Sequence, residues 1–286
     1  MHRSKSNGTR LAAAFACLAV GLLMTVTAAA DATDKTLRVC ADPNNLPFSS
    51  ESGQGYENKI AQLFAEDLGW KLEYTWYPQR MGFIRNSLRA FDQMAGRYKC
   101  DLVMGVPVGF ELASTTKAYY RSVYAIVYAA GRGLDGVSKP EDLLKVEPEK
   151  RRSLKIGVVA QTPPVDWLLE NKLFDQVVSY QRQTGDKDQY PGEIVEKDLT
   201  SGKIDVAMVW GPIAGYFARK VSGARLVVVP FATRPDIKFD YDIAMGVRFG
   251  ERPWKEQVQQ LIDRNQSKIH AILRDYGVPL LDSDKQ

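Results

Sequence analysis

Few residues in this 286-residue chain have the type and spacing needed for catalysis. The chain contains two histidines, and His270 is the one that lies beyond the first 30 residues. A Ser–His–Asp triad or a zinc site therefore has almost no imidazole to use. Glu57, Asp101 and Glu111 could exchange protons with a substrate, but no histidine lies near them in the sequence. We predict a protein that is not an enzyme and that holds neither a metal nor another cofactor.

The cysteines are the other reactive side chains, and there are three of them. Cys17 lies in an N-terminal apolar segment that we expect to be removed on export, which leaves Cys40 and Cys100. Two thiols in an exported chain predict one disulfide, with two buried free thiols as the alternative. The pairing requires that the strand ending at Cys40 and the strand opened by Cys100 lie side by side.

The first 30 residues have the features of a secretory signal. Three basic residues precede an apolar run over 11–26, and three alanines end at Ala30. We predict cleavage after Ala30 and a periplasmic location, with an uncleaved membrane anchor as the alternative. The segment holds three basic residues and no acidic ones, so its removal lowers the formal net charge from +4 to +1. Composition then gives no support to nucleic-acid binding, and we expect no membrane insertion after cleavage.

Strand and helix patterns alternate in the rest of the chain. A short apolar strand is broken by Asp42-Pro43, because proline cannot continue a central strand. A helix follows at 56–68, and the pattern continues with a strand over 71–77, a helix over 81–94 and a strand over 101–106. Such a β-α-β-α-β series predicts a parallel sheet covered by helices, with ligands at the carboxyl ends of the strands.

The α/β pattern then restarts between two linkers. The linkers are 131–138 and 230–235, and a helical tail with a break near Asn265 ends the chain. A pattern that restarts between two linkers predicts one domain inserted into another, with a cleft between two hinged lobes. We place the first lobe at 31–130, the second at 131–230, and the return to the first lobe with the C-terminal helices at 231–286.

The order of these elements resembles the family 3 extracellular solute-binding proteins over nearly all of the chain beyond the signal. Six motifs are similar to those of the binding proteins associated with quinoprotein dehydrogenases, the MxaJ and XoxJ type. They are LRVCADPNNLPFS (37–49), GYENKI (55–60), PQRMGFIRN (78–86), CDLVMGVP (100–107), TTKAYYRS (115–122) and VWGPIAGY (209–216). The Pro-Asn-Asn and Met-Gly-Val-Pro forms favour the XoxJ type, which accompanies the lanthanide-dependent enzyme.

The resemblance implies an α/β fold of the type II periplasmic-binding-protein class, with two lobes and two hinge crossings. It also implies a monomeric accessory protein of methanol metabolism, whose partner is a PQQ-dependent methanol or alcohol dehydrogenase or its cytochrome c. Two alternatives stay open. The first is the solute-binding component of an ABC transporter for a small ligand that is not an amino acid. The second is an enzyme, since some relatives of this fold are cyclohexadienyl dehydratases.

The amino-acid-binding relatives read the ligand carboxylate with an arginine and its ammonium with an aspartate. The equivalent positions here are Val108 and Glu111 for the first group and Trp210 for the second. Loss of each charged hydrogen bond would cost about 1.5–3 kcal/mol, so we expect ordinary amino acids not to bind well. The residues expected to line the cleft for an apolar or aromatic ligand, or for a protein segment, are Asn44, Asn45, Phe48, Arg80, Phe83, Pro107, Thr115, Thr116, Gln161, Thr162, Trp210 and Tyr216.

Overall fold

The computed structural model describes residues 35–181, 186 and 188–282. The predicted signal segment, residues 1–30, and its cleavage after Ala30 lie outside these ranges. No helix within the described ranges is long and apolar enough to cross a membrane.

Strands and helices alternate along the described residues. The strands are β1 (Thr36–Ala41), β2 (Asn44–Asn45), β3 (Ser49–Ser50), β4 (Lys71–Trp76), β5 (Phe91–Asp92), β6 (Arg97–Tyr98), β7 (Leu102–Pro107), β8 (Ser114–Thr115), β9 (Tyr120–Ala129), β10 (Ile156–Val159), β11 (Val177–Tyr180), β12 (Val206–Trp210), β13 (Leu226–Pro230) and β14 (Asp240–Val247). The α-helices are α1 (Tyr56–Leu68), α2 (Phe83–Asn86), α3 (Pro148–Ser153), α4 (Pro163–Glu170), α5 (Gly211–Lys220) and α6 (Arg252–Asp275). Shorter segments are the 3₁₀ helices Pro140–Lys145 and Phe174–Gln176 and the π-helix Ile194–Leu199.

One continuous sheet runs through the molecule. Its strand order is β11–β10–β12–β9–β14–β7–β1–β4, with β13 beside β9 and β8 beside β14. Strands β4, β1 and β7 are parallel, as are β11, β10 and β12. Strands β9 and β14 run antiparallel to their neighbours and join the two parallel groups. We refer to the half with β4, β1, β7 and β14 as the first lobe, and to the half with β11, β10, β12 and β13 as the second.

The chain crosses between the lobes inside β9. Its first residues, Tyr120–Val123, pair with β14, whereas Ala125–Ala129 pair with β13. The chain returns between β13 and β14, where the Tyr124 N–H donates to the Phe239 carbonyl. Two crossings and two mostly parallel halves of the sheet, each covered by helices, confirm the predicted fold class. The lobe boundaries near residues 130 and 230 stay a prediction.

Separate apolar cores stabilise the two lobes. In the first lobe, Tyr56, Ile60 and Phe64 of α1 pack with Leu261 and Ile269 of α6 over the sheet. Helix α1 has these apolar residues one turn apart and ends at Gly69, whose positive φ of 64° suits a glycine.

In the second lobe, alternate residues of β12 belong to different clusters. Val206 and Met208 pack on one face with Trp167, while Ala207 and Val209 pack on the other. This alternation is expected for a strand covered on both faces.

The predicted helix over 81–94 is wrong. Helix α2 covers only Phe83–Asn86, and the chain then forms the β5–β6 hairpin. Asp92 Oδ1 accepts a hydrogen bond from the Met94 N–H at 3.0 Å, and Gly96 has a positive φ of 62°. An Asx turn followed by a left-handed glycine stops a helix and reverses the chain, despite helix-forming neighbours.

The predicted break of the last helix near Asn265 is also wrong. Helix α6 is continuous, and Asn265 is buried inside it. Its side-chain amide donates to the Leu261 carbonyl at 3.0 Å and to Asp67 Oδ2 of the first lobe at 2.7 Å. Asn265 therefore links α6 to the end of α1 and does not interrupt α6.

Candidate binding cleft

The loop after β1 is held in one shape by its own polar groups. Asp42 Oδ1 accepts from the Asn44 N–H at 2.8 Å, and Asp42 Oδ2 accepts from the Gln79 N–H at 2.5 Å. The Ser49 hydroxyl donates to the Asp42 carbonyl, and Asn45 Nδ2 donates to Gln79 Oε1 at 2.6 Å. These bonds leave the apolar side chains of the loop free to face the second lobe.

Leu46 and Phe48 of this loop pack against the core cluster of the second lobe that contains Phe217. Phe48 also packs against the core of the first lobe, so it contacts both lobes. Asn44 Nδ2 donates to the Asp188 carbonyl at 3.3 Å across the same boundary. Apolar contacts of the loop thus bridge the mouth of the cleft between the lobes.

Trp210 ends β12 and also packs against the cores of both lobes. Its ring lies 5.2 Å from the Tyr124 ring and 5.9 Å from the Tyr241 ring, both in edge-on geometry. Because the next residues are Gly211 and Pro212 at the start of α5, the tryptophan sits where a strand meets a helix N-terminus. An aromatic ring therefore lies at the carboxyl end of β12, where the two lobes meet.

A polar cluster lies behind the aromatic residues in the first lobe. The Tyr56 and Tyr120 hydroxyls are 2.8 Å apart, and the fully buried Tyr119 ring packs against the Tyr120 ring. Burial and the nearby Asp42 carboxylate raise the pKa of Glu57 to about 8. The Glu57 carboxyl lies so close to Gly105 that a Cβ at Gly105 would meet Oε1 at 2.3 Å. A glycine is needed at Gly105 both for this approach and for its φ of 70°.

Tyr216, on α5, contacts the first lobe at a different place. Its ring stacks on that of Tyr276 at a centroid distance of 5.7 Å and an interplanar angle of 13°. Tyr276 in turn contacts the Tyr56 ring at 5.9 Å and donates its hydroxyl to the Gln54 carbonyl. Tyr216 therefore belongs to the packing between the lobes.

The structure brings Asn44, Phe48 and Trp210 together where the lobes meet, but it disperses other predicted residues. Phe83 is buried beside Cys40 and Cys100 in a small core of the first lobe. Exposed residues of the predicted set are Arg80, Pro107 and Gln161. The remaining hydroxyls satisfy local backbone groups, because Thr116 Oγ1 accepts from the Met245 N–H, Thr115 Oγ1 accepts from the Gly109 N–H and Thr162 Oγ1 donates to the Val159 carbonyl.

Sequence reasoning missed several cleft residues. They are Leu46, Tyr56, Tyr120, Tyr124 and Tyr241. Tyr120 and Tyr124 stand in a long β-prone run, and a spacing of four along a strand puts both on one face. This spacing could have indicated cleft residues, but packing within the sheet explained it equally well.

Val108 and Glu111, the two positions compared in the sequence analysis with the carboxylate-reading arginine of the amino-acid-binding relatives, are both exposed. The predicted disulfide is confirmed: Cys40 and Cys100 are bonded, with their Cα atoms 5.4 Å apart. Among the described residues, no group of three or more His, Cys, Asp or Glu side chains is placed to hold a metal ion.

A continuous sheet shared by two lobes, with aromatic residues where the lobes meet at the strand carboxyl ends, is the architecture of a type II periplasmic binding protein. The crystal structure of the periplasmic binding protein XoxJ from Methylobacterium extorquens AM1 is similar to this chain at 36% sequence identity and a TM-score of 0.68. The similarity covers 86% of this chain and 100% of that one. The chain belongs to the XoxJ and MxaJ family of periplasmic binding proteins.

Two further relatives agree with this assignment. Protein MoxJ of Methylorubrum extorquens is 28% identical over 260 residues, which is 86% of this chain and 82% of that protein. The crystal structure of MxaJ from Methlophaga aminisulfidivorans MPT has a TM-score of 0.69 at 23% identity, covers 86% of this chain and 100% of that one, and shares the fold. No protein-family model matches the chain.

Proposed function

We propose that this protein is a non-catalytic accessory protein of the periplasm that binds a PQQ-dependent methanol or alcohol dehydrogenase, or the cytochrome c of that enzyme. Binding occurs through the aromatic and apolar cleft between the lobes and assists maturation or activation of the dehydrogenase. Membership of the XoxJ and MxaJ family supports the choice of partner. The observation that carries the proposal is the position of Trp210, which packs against both lobes. In the sequence analysis, this position was compared with the aspartate that binds the ligand ammonium in amino-acid-binding relatives.

The chemistry of the cleft fits a protein segment better than a free amino acid. Phe48, Tyr124 and Trp210 present aromatic rings and few charges. Buried aromatic anchors supply most of the binding energy in protein interfaces, whereas an amino acid needs paired charges. A protruding apolar segment of the dehydrogenase would replace the contacts that Leu46 and Phe48 make with the second lobe. The lobes would then hold the enzyme by that segment while its cofactor or metal is inserted.

The test is the affinity of the purified chain for the purified dehydrogenase, in its apo and holo forms, measured by biolayer interferometry. We expect Trp210→Ala to weaken binding by about tenfold or more, the effect of removing one interface anchor. Trp70→Ala is the matched control, because Trp70 is also half-buried but stacks on Trp254 outside the cleft, at 5.9 Å. Absence of a complex with either form of the enzyme, or equal affinities of the two variants, would contradict the proposal.

A further inference from the structure

A second exposed surface of the first lobe lies away from the cleft. The β5–β6 hairpin leads into Cys100 and the amino end of β7, whereas the cleft lies at the carboxyl ends of the strands. Its apolar residues Phe91, Met94 and Tyr98 are 51%, 101% and 39% exposed, and the neighbouring Phe249 is 59% exposed. We call these four residues the hairpin patch.

The three aromatic rings of the hairpin patch lie close together. The Phe91 and Tyr98 rings are 5.2 Å apart in edge-on contact. The Arg248 guanidinium lies 4.1 Å from the Tyr98 ring centroid, and Phe249 follows it in the chain. Arg89 in turn lies over the Phe249 ring at 5.6 Å. Aromatic rings interleaved with arginines are typical of protein interfaces.

The hairpin is also rigid at its base. The Lys99 N–H donates to the Ala90 carbonyl, and Thr75 Oγ1 donates to the Lys99 carbonyl at 2.7 Å. The Cys40–Cys100 disulfide fixes the next residue to β1, and Arg248 donates to the Cys100 carbonyl. Little conformational entropy would be lost when a partner binds such a surface.

The hairpin segment is strongly basic. Residues 85–99 hold four basic residues and one acidic residue, a net charge of +3. The acidic residue, Asp92, accepts hydrogen bonds from the Met94 and Ala95 N–H groups within the turn. A two-fold contact between copies of this chain would bring two such positive surfaces together, which disfavours self-association.

A recess beside the hairpin offers a place for a carboxylate. A cavity of about 270 Å³ opens there, lined mainly by Arg38, Glu73, Asp92, Arg97, Tyr98 and Lys99. Arg38 is already paired there, because its Nε lies 3.4 Å from Glu73 and its Nη1 lies 3.8 Å from Asp101. Arg97 and Lys99 are the exposed cations of the recess for an incoming acidic side chain.

From these observations we infer that the hairpin patch is a second docking surface, and that its partner is a protein surface with an apolar centre and an acidic rim. The inference rests on the proposed function for the identity of that protein, the dehydrogenase. A partner bound at both the cleft and the hairpin patch would contact the first lobe on two sides. Binding at the hairpin patch would not block the cleft.

The test compares patch variants of the full chain in binding to the purified dehydrogenase at low and high ionic strength. Arg97→Glu reverses a charge of the hairpin, and Phe249→Ser removes an aromatic ring. Their matched controls on the second lobe are Arg152→Glu, also exposed, and Phe174→Ser, which removes a ring that is 50% exposed. All four positions are on the surface, and a thermal melt of each variant verifies folding.

We expect Phe249→Ser to weaken binding about tenfold and Arg97→Glu to slow association about tenfold with a weaker salt dependence, while the controls match the parent. If the patch variants bind like the parent while Trp210→Ala does not, the inference fails and the proposed function stands. If the parent chain binds no dehydrogenase, both fail. The choice of partner would be overturned if the parent, but not the patch variants, sedimented with phosphatidylglycerol vesicles. It would also be overturned if the parent, but not the patch variants, formed dimers in ultracentrifugation.

Discussion

At the scale of single residues, Glu57 is the titratable group in the least ordinary position. Its carboxyl lies beside Gly105, near Asp42 and the tyrosine hydroxyls of the first lobe. The pKa of Glu57 is raised by burial first and by the Asp42 charge second. Ionisation of Glu57 therefore opposes folding instead of supporting it.

This position predicts a stability that falls with pH. The pKa of Glu57 is about 8 in the folded chain, above its ordinary value of 4.5. The stabilising contribution is complete below about pH 4.5 and is lost as pH rises through about 8, because the folded state binds the proton more tightly. We expect Glu57→Gln to remove this trend and to exceed the parent by about 1–3 kcal/mol in free energy of unfolding at high pH.

The measurement is urea unfolding followed by tryptophan fluorescence at a series of pH values. Glu111→Gln is the matched control, since Glu111 is an exposed glutamate. We expect this control to follow the parent at every pH. A parallel decline of the parent and Glu57→Gln would show that Glu57 is not the source of the pH dependence.

At the scale of elements, strong apolar runs were predictable and short polar ones were not. The strands near 101–106 and 205–210 are continuous apolar segments, and the structure has β7 and β12 there. The hairpin after α2 was not predictable, because its turn depends on one Asp92 side chain within a helix-like pattern.

Tertiary contacts explain the other differences. Asn265 looks like a helix breaker until its partner Asp67, nearly 200 residues away, is known. Tertiary contacts also decide which of the predicted cleft residues come together. Asn44 and Phe48 follow β1, Trp210 ends β12, and all three lie where the lobes meet. Phe83 lies as many residues after β4 as Phe48 lies after β1, yet its side chain packs into a small core of the first lobe. The order of strands and helices can be predicted from the sequence, but the direction of a side chain within a loop cannot.

The disulfide between β1 and the residue before β7 gives a prediction at this scale. It joins residues separated by 60 positions, and closing a loop of that length stabilises the folded chain by about 4 kcal/mol in the chain-entropy model. We expect the double variant Cys40→Ala/Cys100→Ala to lose about 2–5 kcal/mol in guanidinium unfolding. Dithiothreitol should lower the stability of the parent and leave the variant unchanged; equal stabilities of parent and variant would contradict this account.

At the scale of the whole molecule, the lobes also touch behind the cleft. Gly215 of α5 approaches Gly277 after α6 so closely that a Cβ at Gly215 would lie 1.8 Å from the Gly277 carbonyl oxygen. Arg219 Nη1 donates to the Arg274 carbonyl at 2.9 Å beside this contact, and Tyr216 stacks on Tyr276. The tail after α6 therefore fastens the second lobe to the first.

Gly215→Ala should loosen this contact. Alanine favours a helix over glycine by about 1 kcal/mol, but the obstacle here is backbone, which cannot rotate away. We expect a net loss of about 1–3 kcal/mol in stability and a larger radius of gyration in small-angle X-ray scattering. Gly136→Ala is the control, because nothing lies within 4 Å of a Cβ at Gly136. A Gly215→Ala protein as stable and compact as this control would show that the lobes are not fastened there.

The central claim is that the cleft takes a protein segment and not an amino acid. Isothermal titration calorimetry tests it most directly, with the purified chain titrated in one buffer against the apo-dehydrogenase and against a panel of free amino acids. Trp210 in the cleft predicts heat of binding with the enzyme and none with any amino acid at micromolar concentration. Micromolar binding of any amino acid, or no heat from the dehydrogenase, would contradict the claim.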